Sequence, residues 1–221
     1  MAQPGDLQAA TDPIRRLLDQ RHEAREVALQ ASREATRSAA NAIRATHRGE
    51  TERADELIAA SAEALRRAQD ACVDHPEVLH AGFVADAAKE LAEAVLTRAA
   101  IAGRPLPEPA EVGVDEVAWL HGLAETVGEL RRASLDHVRA ERIEEAERLL
   151  ELMQEVLAAL TSIDVPDGLS RGLRRATDAA RAITERTRGD LTTAVGQRRL
   201  RAALDAHRQA LEHAEGRGRQ A

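Results

Sequence analysis

From Asp12 to about Arg48 the chain offers nothing that must end a helix, and no glycine or proline follows Pro13 until "HRGE" supplies Gly49. Thr11 or Asp12 can cap such a helix, with Pro13 in its first turn. A glycine just past the last turn is a common helix stop. At 1.5 Å per residue this helix is about 55 Å long. One small globule cannot cover that length, so the first helix demands a long bundle or an assembly. The rest of the chain agrees. Ala, Leu, Glu and Arg dominate the 221 residues, and they are strong helix formers. Tyrosine is absent and there is one Phe (Phe83) and one Trp (Trp119), so the aromatic and β-branched residues that strands favour are scarce. The expected fold is all-α.

Punctuation divides the chain into about seven helices in a single-domain bundle. Residues 1–10 are expected to be disordered, 11–213 to form the domain and 214–221, "GRGRQA" with its neighbours, a loose basic tail. The second helix runs from Thr51 to about Asp74. A third opens at "HPE" (75–77) and lasts to about Ala102. "GRPLPEPAEVG" is a loop, and the fourth helix covers 114–139. The fifth covers 142–161, followed by the turn "SIDVPDG". Ser170 caps a sixth helix to about Thr187. "RGD" at 188–190 is read as a break before the last helix, which reaches about His213. No repeat or composition shift marks a second domain.

Charge and cysteine usage narrow the function classes. The net charge is −7, unlike the global basic charge of most nucleic-acid binders. Lys89 is the only lysine among the 31 Lys and Arg residues. Arginine presents a planar fork that suits phosphate, so the composition permits phosphate contacts without requiring them. Cys72 is alone, which excludes an intrachain disulfide and a cysteine metal site. The N-terminus lacks signal-peptide features, and no apolar run approaches the roughly 20 residues of a membrane span. The expected location is the cytoplasm, away from membranes.

The stretch "WLHGLAETVGELRR" (Trp119 to Arg132) raises the chemical question. Each of its two glycines costs a helix about 1 kcal/mol, and Glu125 and Glu129 repel at i,i+4. At 100° per residue, Trp119, Leu120, Leu123, Val127 and Leu130 gather on one side, and His121, Glu125, Glu129, Arg132 and Asp136 on the other. On the preceding helix, Asp86, Lys89, Glu90 and Glu93 share a polar face opposite Val84, Leu91 and Val95. Periodicity alone leaves two readings open. Both faces are ordinary solvated surfaces, with Glu129 and Arg132 a weak i,i+3 pair. Alternatively the faces meet, and converging carboxylates then need a cation or protons. Mg²⁺ takes oxygen ligands and can activate water against a phosphodiester. Gly122 and Gly128 would serve close helix packing or the approach of a phosphate. Among the eight histidines, His121 is the one near other candidate ligands. Other motifs contribute little. "EVLH" (77–80) is a single Glu-x-x-His where a di-iron bundle needs two, and there is no Gly-rich phosphate loop or His-Glu-x-x-His.

Four segments, in order and spacing, resemble the translin family, which includes translin and translin-associated factor X. They are "RHEAREVALQASREATRSAANAIRATHR" (21–48), with its Ile-x3-His-Arg-like end; "AKELAEAV" (88–95), similar to the family's Glu-x-x-Glu-Ala; the Trp119–Arg132 stretch; and "DVPDGLSRGLRRATDAARAITERTRGDL" (164–191). The resemblance covers about residues 12–205. It implies a seven-helix protomer, homo-oligomers that are commonly octameric shells around a cavity, and binding of single-stranded RNA or DNA. Members like factor X are Mg²⁺-dependent endoribonucleases. The resemblance thus implies Mg²⁺ held by Glu90, Glu93 and Glu125, with Glu129 supporting catalysis. Arg131, Arg132, Arg171, Arg174, Arg175 and Arg181 are the expected nucleic-acid contacts. Without aromatics to stack bases, affinity would rest on arginine–phosphate contacts and depend on salt. Two departures stand out. Glu125 occupies a position that is often aspartate in catalytic members, one methylene shorter, and "DHPEVLHAGF" (74–83) lacks the arginine of the translin basic patch. Three functions follow: a nuclease, a non-catalytic nucleic-acid binder, and a helical scaffold that binds protein.

Overall fold

The computed structural model describes residues 4–218, with side chains from 7 to 210. Among the described residues there are nine helices and no strand: α1 (Pro4–His47), α2 (Thr51–Asp70), α3 (Pro76–Leu79), α4 (Phe83–Ile101), α5 (Pro109–Val112), α6 (Glu116–Arg139), α7 (Ile143–Thr161), α8 (Asp167–Ser170) and α9 (Leu173–Gly218). Six are long and three are single turns. α1 packs on α2 and α4, α4 on α6, and α6 on α7 and α9. The all-α bundle with a long first helix is as expected.

The core is built largely from alanine. Ala28, Ala31, Ala35, Ala39 and Ala42 of α1 are buried at spacings of three and four, which put them on one face. Small side chains let backbones approach, and Ser61 of α2 donates to the Ala35 carbonyl at 2.9 Å. Leu65, Leu91, Leu96, Val127, Leu130, Leu149, Met153 and Leu160 fill the centre. Several buried threonines hide their hydroxyls by donating four residues back along their own helix, as Thr126 does to Gly122 O and Thr184 to Ala180 O.

Several boundaries differ from expectation. The two loose ends are helical where they are described, since α1 starts at Pro4 and α9 ends at Gly218. Pro13 sits inside α1 at the loss of one backbone hydrogen bond. Residues 1–3 and 219–221 lie outside the described residues. The expected third helix is split: Gly82 has φ 98°, a left-handed conformation that interrupts the helical path between α3 and α4. "RGD" does not break α9. Gly189 faces open space, Asp190 pairs with Arg131 at 2.8 Å, and Leu191 is buried beside Ala146 and Leu150. These anchors hold the helix through a glycine whose intrinsic cost is only about 1 kcal/mol.

Candidate metal and nucleic-acid site

Three helices converge on one cluster: the C-terminal end of α1, the middle of α4 and the middle of α6. The closest approach is at Gly122. A Cβ there would lie 2.6 Å from Ala92 Cβ, 2.8 Å from Glu93 N and 2.9 Å from Lys89 O. Real Cβ atoms do not come that close, so only glycine lets α6 rest on the α4 backbone. Gly128 meets nothing within 4 Å, so the packing role expected of both glycines holds for Gly122 alone. With the helices this close, the two polar faces meet.

Glu90, Glu93 and Glu125 each place a carboxylate oxygen within 4.8 Å of the others'. The reading of two separate solvated faces is therefore overturned. Glu93 is only 9 % exposed, and no hydrogen bond to its carboxylate is found among the described residues. Burial, and then the charges of Glu125, Glu90 and Glu129, push its pKa up to about 8, with Lys89 opposing. The Lys89 ammonium lies 2.8 Å from Glu125 Oε1 and 3.2 Å from Glu90 Oε1. Burial alone would lower the Lys89 pKa, but the two carboxylates outweigh it and hold it above the usual lysine value.

Glu129 stands one turn along from Glu125 and is held differently. The His47 ring donates to it, with Nε2 2.5 Å from Oε2. That bond, helped by the charges of His47 and Arg132, holds the Glu129 carboxyl below its ordinary value against the effect of burial. The His47 ring is 5 % exposed. His47 is the histidine at this cluster, and sequence reasoning did not single it out. The only signal was its place at the Ile-x3-His-Arg end of the first matched segment. His121, the expected neighbour, instead donates to the Ser170 carbonyl at 2.9 Å.

The donor set suits a small hard cation. Opposite ligands of an octahedral Mg²⁺ are about 4.2 Å apart, since each sits near 2.1 Å. Oxygens within 4.8 Å of one another come within reach by small side-chain rotations. The extra methylene of Glu125 does not keep it from the cluster. Glu129 is outside this three-residue set.

The expected arginines scatter. Arg131 spends its guanidinium on Asp190 (2.8 Å) and Thr187 Oγ1 (3.0 Å). Arg132, 56 % exposed and 3.9 Å from Glu129, is the member beside the carboxylates. Arg171 is exposed and ends α8 with φ 49°. Arg175 is exposed. Arg174 and Arg181 line a depression of about 920 Å³ at the α7–α8–α9 corner together with Asp164, Asp167 and Asp178, a mixed-charge lining. A second basic track was not anticipated. Arg33, Arg37 and Arg44 of α1 line a groove of about 500 Å³ with Phe83 and Asp86. Arg44 and His47, and Asp86 and Glu90, are each one turn apart, so the groove leads toward the carboxylates.

No protein-family model matches the chain. An uncharacterized protein of Methanocaldococcus jannaschii is 30 % identical over 183 residues, 81 % of this chain and 80 % of its own. The structure of AfC3PO in complex with duplex RNA is 32 % identical, with a TM-score of 0.79 over 86 % of this chain and 98 % of that one. The crystal structure of AfC3PO gives 0.76 over the same shares. Apo-NeC3PO, at 18 % identity and a TM-score of 0.72 over 88 % of this chain and 99 % of its own, shares the fold. No helix among the described residues is long and apolar enough to cross a membrane.

Proposed function

The chain belongs to the translin (C3PO) family, and we propose that it binds RNA and cleaves it endonucleolytically with a divalent cation, Mg²⁺, held by Glu90, Glu93 and Glu125. The convergence of those three oxygens within 4.8 Å carries the reading. A cation there would supply water activation and polarisation of a phosphodiester. The chain's own residues do the rest. Glu93, with its raised pKa, would release its proton to solvent on binding a cation and so serve as the third carboxylate ligand. Glu129, ionised and oriented by His47, stands ready to accept a proton from an attacking water. Arg132 and the track of Arg33, Arg37 and Arg44 supply phosphate contacts; Arg171 and Arg175 are exposed elsewhere, and Arg174 and Arg181 share their depression with Asp164, Asp167 and Asp178. AfC3PO binds duplex RNA, so both duplex and single-stranded RNA or DNA are substrates to try.

Incubating the chain with labelled RNA of each form, in Mg²⁺ and in EDTA, tests this. Cleavage is expected in Mg²⁺ only, and a Glu125→Gln variant should lose it while retaining RNA on a filter. Cleavage that survives in EDTA or in the variant removes the carboxylate–metal mechanism. Retention without cleavage by the wild type leaves a binder, and no retention at low salt leaves a protein scaffold.

We also propose a homo-oligomer, with the octamer implied by the resemblance as its closed form. α1 is covered only from about Arg21 onward, and Leu7, Ile14, Leu17 and Leu18 are exposed along its free part, as are Leu200 and Leu204 of α9. Such stripes on long projecting helices mark association surfaces. Sedimentation velocity should show a species several times the 23.9 kDa chain mass. Asp at Leu17 and Leu18 together should return it to smaller forms. A wild-type monomer at micromolar concentration would sink the idea.

A further inference from the structure

Of the 31 lysine and arginine residues all but one are arginine, and the single lysine stands among the candidate metal ligands. Lys89 bridges Glu90 and Glu125, two of the three carboxylates, with its ammonium in the space between α4 and α6. An arginine would hold carboxylates through a planar, weakly hydrated fork. Lysine is a compact, strongly hydrated point charge on a flexible stem, which recovers its hydration on leaving. Its side chain is 23 % exposed, so a path to water is open.

We propose that Lys89 is a tethered, displaceable counter-ion: it holds Glu90 and Glu125 together until a divalent cation enters, then swings into solvent, and so sets the ion concentration at which the site loads. This rests on the metal reading of the cluster. A divalent cation and an ammonium drawn to the same pair of carboxylates repel strongly when a few ångströms apart in a partly buried site. Displacement therefore opposes ion binding in the wild type. Without Lys89 the ion meets carboxylates already free, although the ion-free protein then carries their mutual repulsion uncompensated.

The test uses the full chain as wild type, Lys89→Gln and Lys89→Arg, with Mn²⁺ as a paramagnetic probe competed by Mg²⁺. Lys89→Gln is expected to bind Mn²⁺ at least tenfold more tightly than wild type. Lys89→Arg, which keeps the charge, should bind no more tightly. The second readout needs no variant. Because the chain has one lysine, an amine-acylating ester followed by peptide mapping reports Lys89 alone apart from the N-terminus. Its acylation rate in the wild type should rise severalfold as Mg²⁺ saturates the site. If wild type binds the ion and Lys89→Gln binds it equally or more weakly, the proposal falls and the metal site stands. If acylation does not change on saturation, displacement is wrong. If neither wild type nor Lys89→Gln binds any ion, both the proposal and the metal reading fall.

Discussion

Replacing Glu93 with glutamine is expected to make the ion-free protein more stable and to cut Mg²⁺-dependent cleavage at least about 100-fold. The two effects have one cause. Glu93 is buried against three other carboxylates, and only Lys89 favours its charged form. With its folded pKa raised to about 8 from 4.5, ionisation is penalised in the folded state. The sign follows from proton counting. Below pH 4.5 both folded and unfolded chains carry the proton, and the group costs nothing. Between 4.5 and 8 the folded chain holds a proton that the unfolded chain has released, so stability falls as pH rises. Above 8 the penalty is complete. At neutral pH it is on the order of 3 kcal/mol. Glutamine removes the charge but leaves a buried amide, whose desolvation costs about 1–3 kcal/mol, so a net gain of roughly 1–2 kcal/mol remains. Thermal melts in EDTA from pH 4 to 9 should show wild type declining through this window and the variant nearly flat, so that the two curves cross and wild type is the more stable at the acid end. Saturating Mg²⁺ should reverse the order, because only wild type has the third ligand. The loss in cleavage should exceed the 10–100-fold typical of removing an outer partner of a metal site. A variant that is destabilised in EDTA and still cleaves RNA would contradict this account of Glu93.

Much of the fold could be read because helical period is local. α7 was expected at 142–161 and runs Ile143–Thr161; α6 was expected at 114–139 and runs Glu116–Arg139. What local punctuation could not supply was tertiary anchorage. Gly189 looks like a break in sequence, but the Arg131–Asp190 pair and buried Leu191 are invisible there. The site divides in the same way. The polar face of α4 was legible from Asp86, Lys89, Glu90 and Glu93 on one helix, and the family resemblance pointed to Glu90, Glu93 and Glu125. His47 was not legible as Glu129's partner, because 82 positions separate them and no helical angle relates different helices. The arginines were least legible. Side-chain type says nothing of whether a guanidinium is spent on a neighbour, as in Arg131, or lines a groove, as in Arg37.

Gly122 and Gly128 pose a matched pair, because the same substitution should act in opposite directions at two positions six residues apart on one helix. Both glycines cost α6 helix propensity, and alanine restores about 1 kcal/mol at either. At Gly128 the added methyl meets nothing within 4 Å, so Gly128→Ala should be stabilising by up to that amount and leave ion binding unchanged. At Gly122 the methyl lands on Ala92 Cβ, Glu93 N and Lys89 O, all under 3.0 Å. Two of these are backbone atoms of a packed helix and cannot rotate away. α4 and α6 must part, and overpacking of this kind costs about 1–3 kcal/mol, enough to erase the propensity gain. The function should suffer more than the stability. The ligands come two from α4 and one from α6, so separating the helices by even about 1 Å spreads the oxygens that must share one ion, and misplacement on that scale can cost on the order of 100-fold in rate. Gly122→Val, with a bulkier and branched side chain, should lower the melting temperature further and abolish detectable Mn²⁺ binding. Calorimetric melts and Mn²⁺ titrations of the three variants decide the matter. If Gly122→Ala proves as stable as Gly128→Ala and loads the ion as well, close contact at Gly122 is not what brings the carboxylates together.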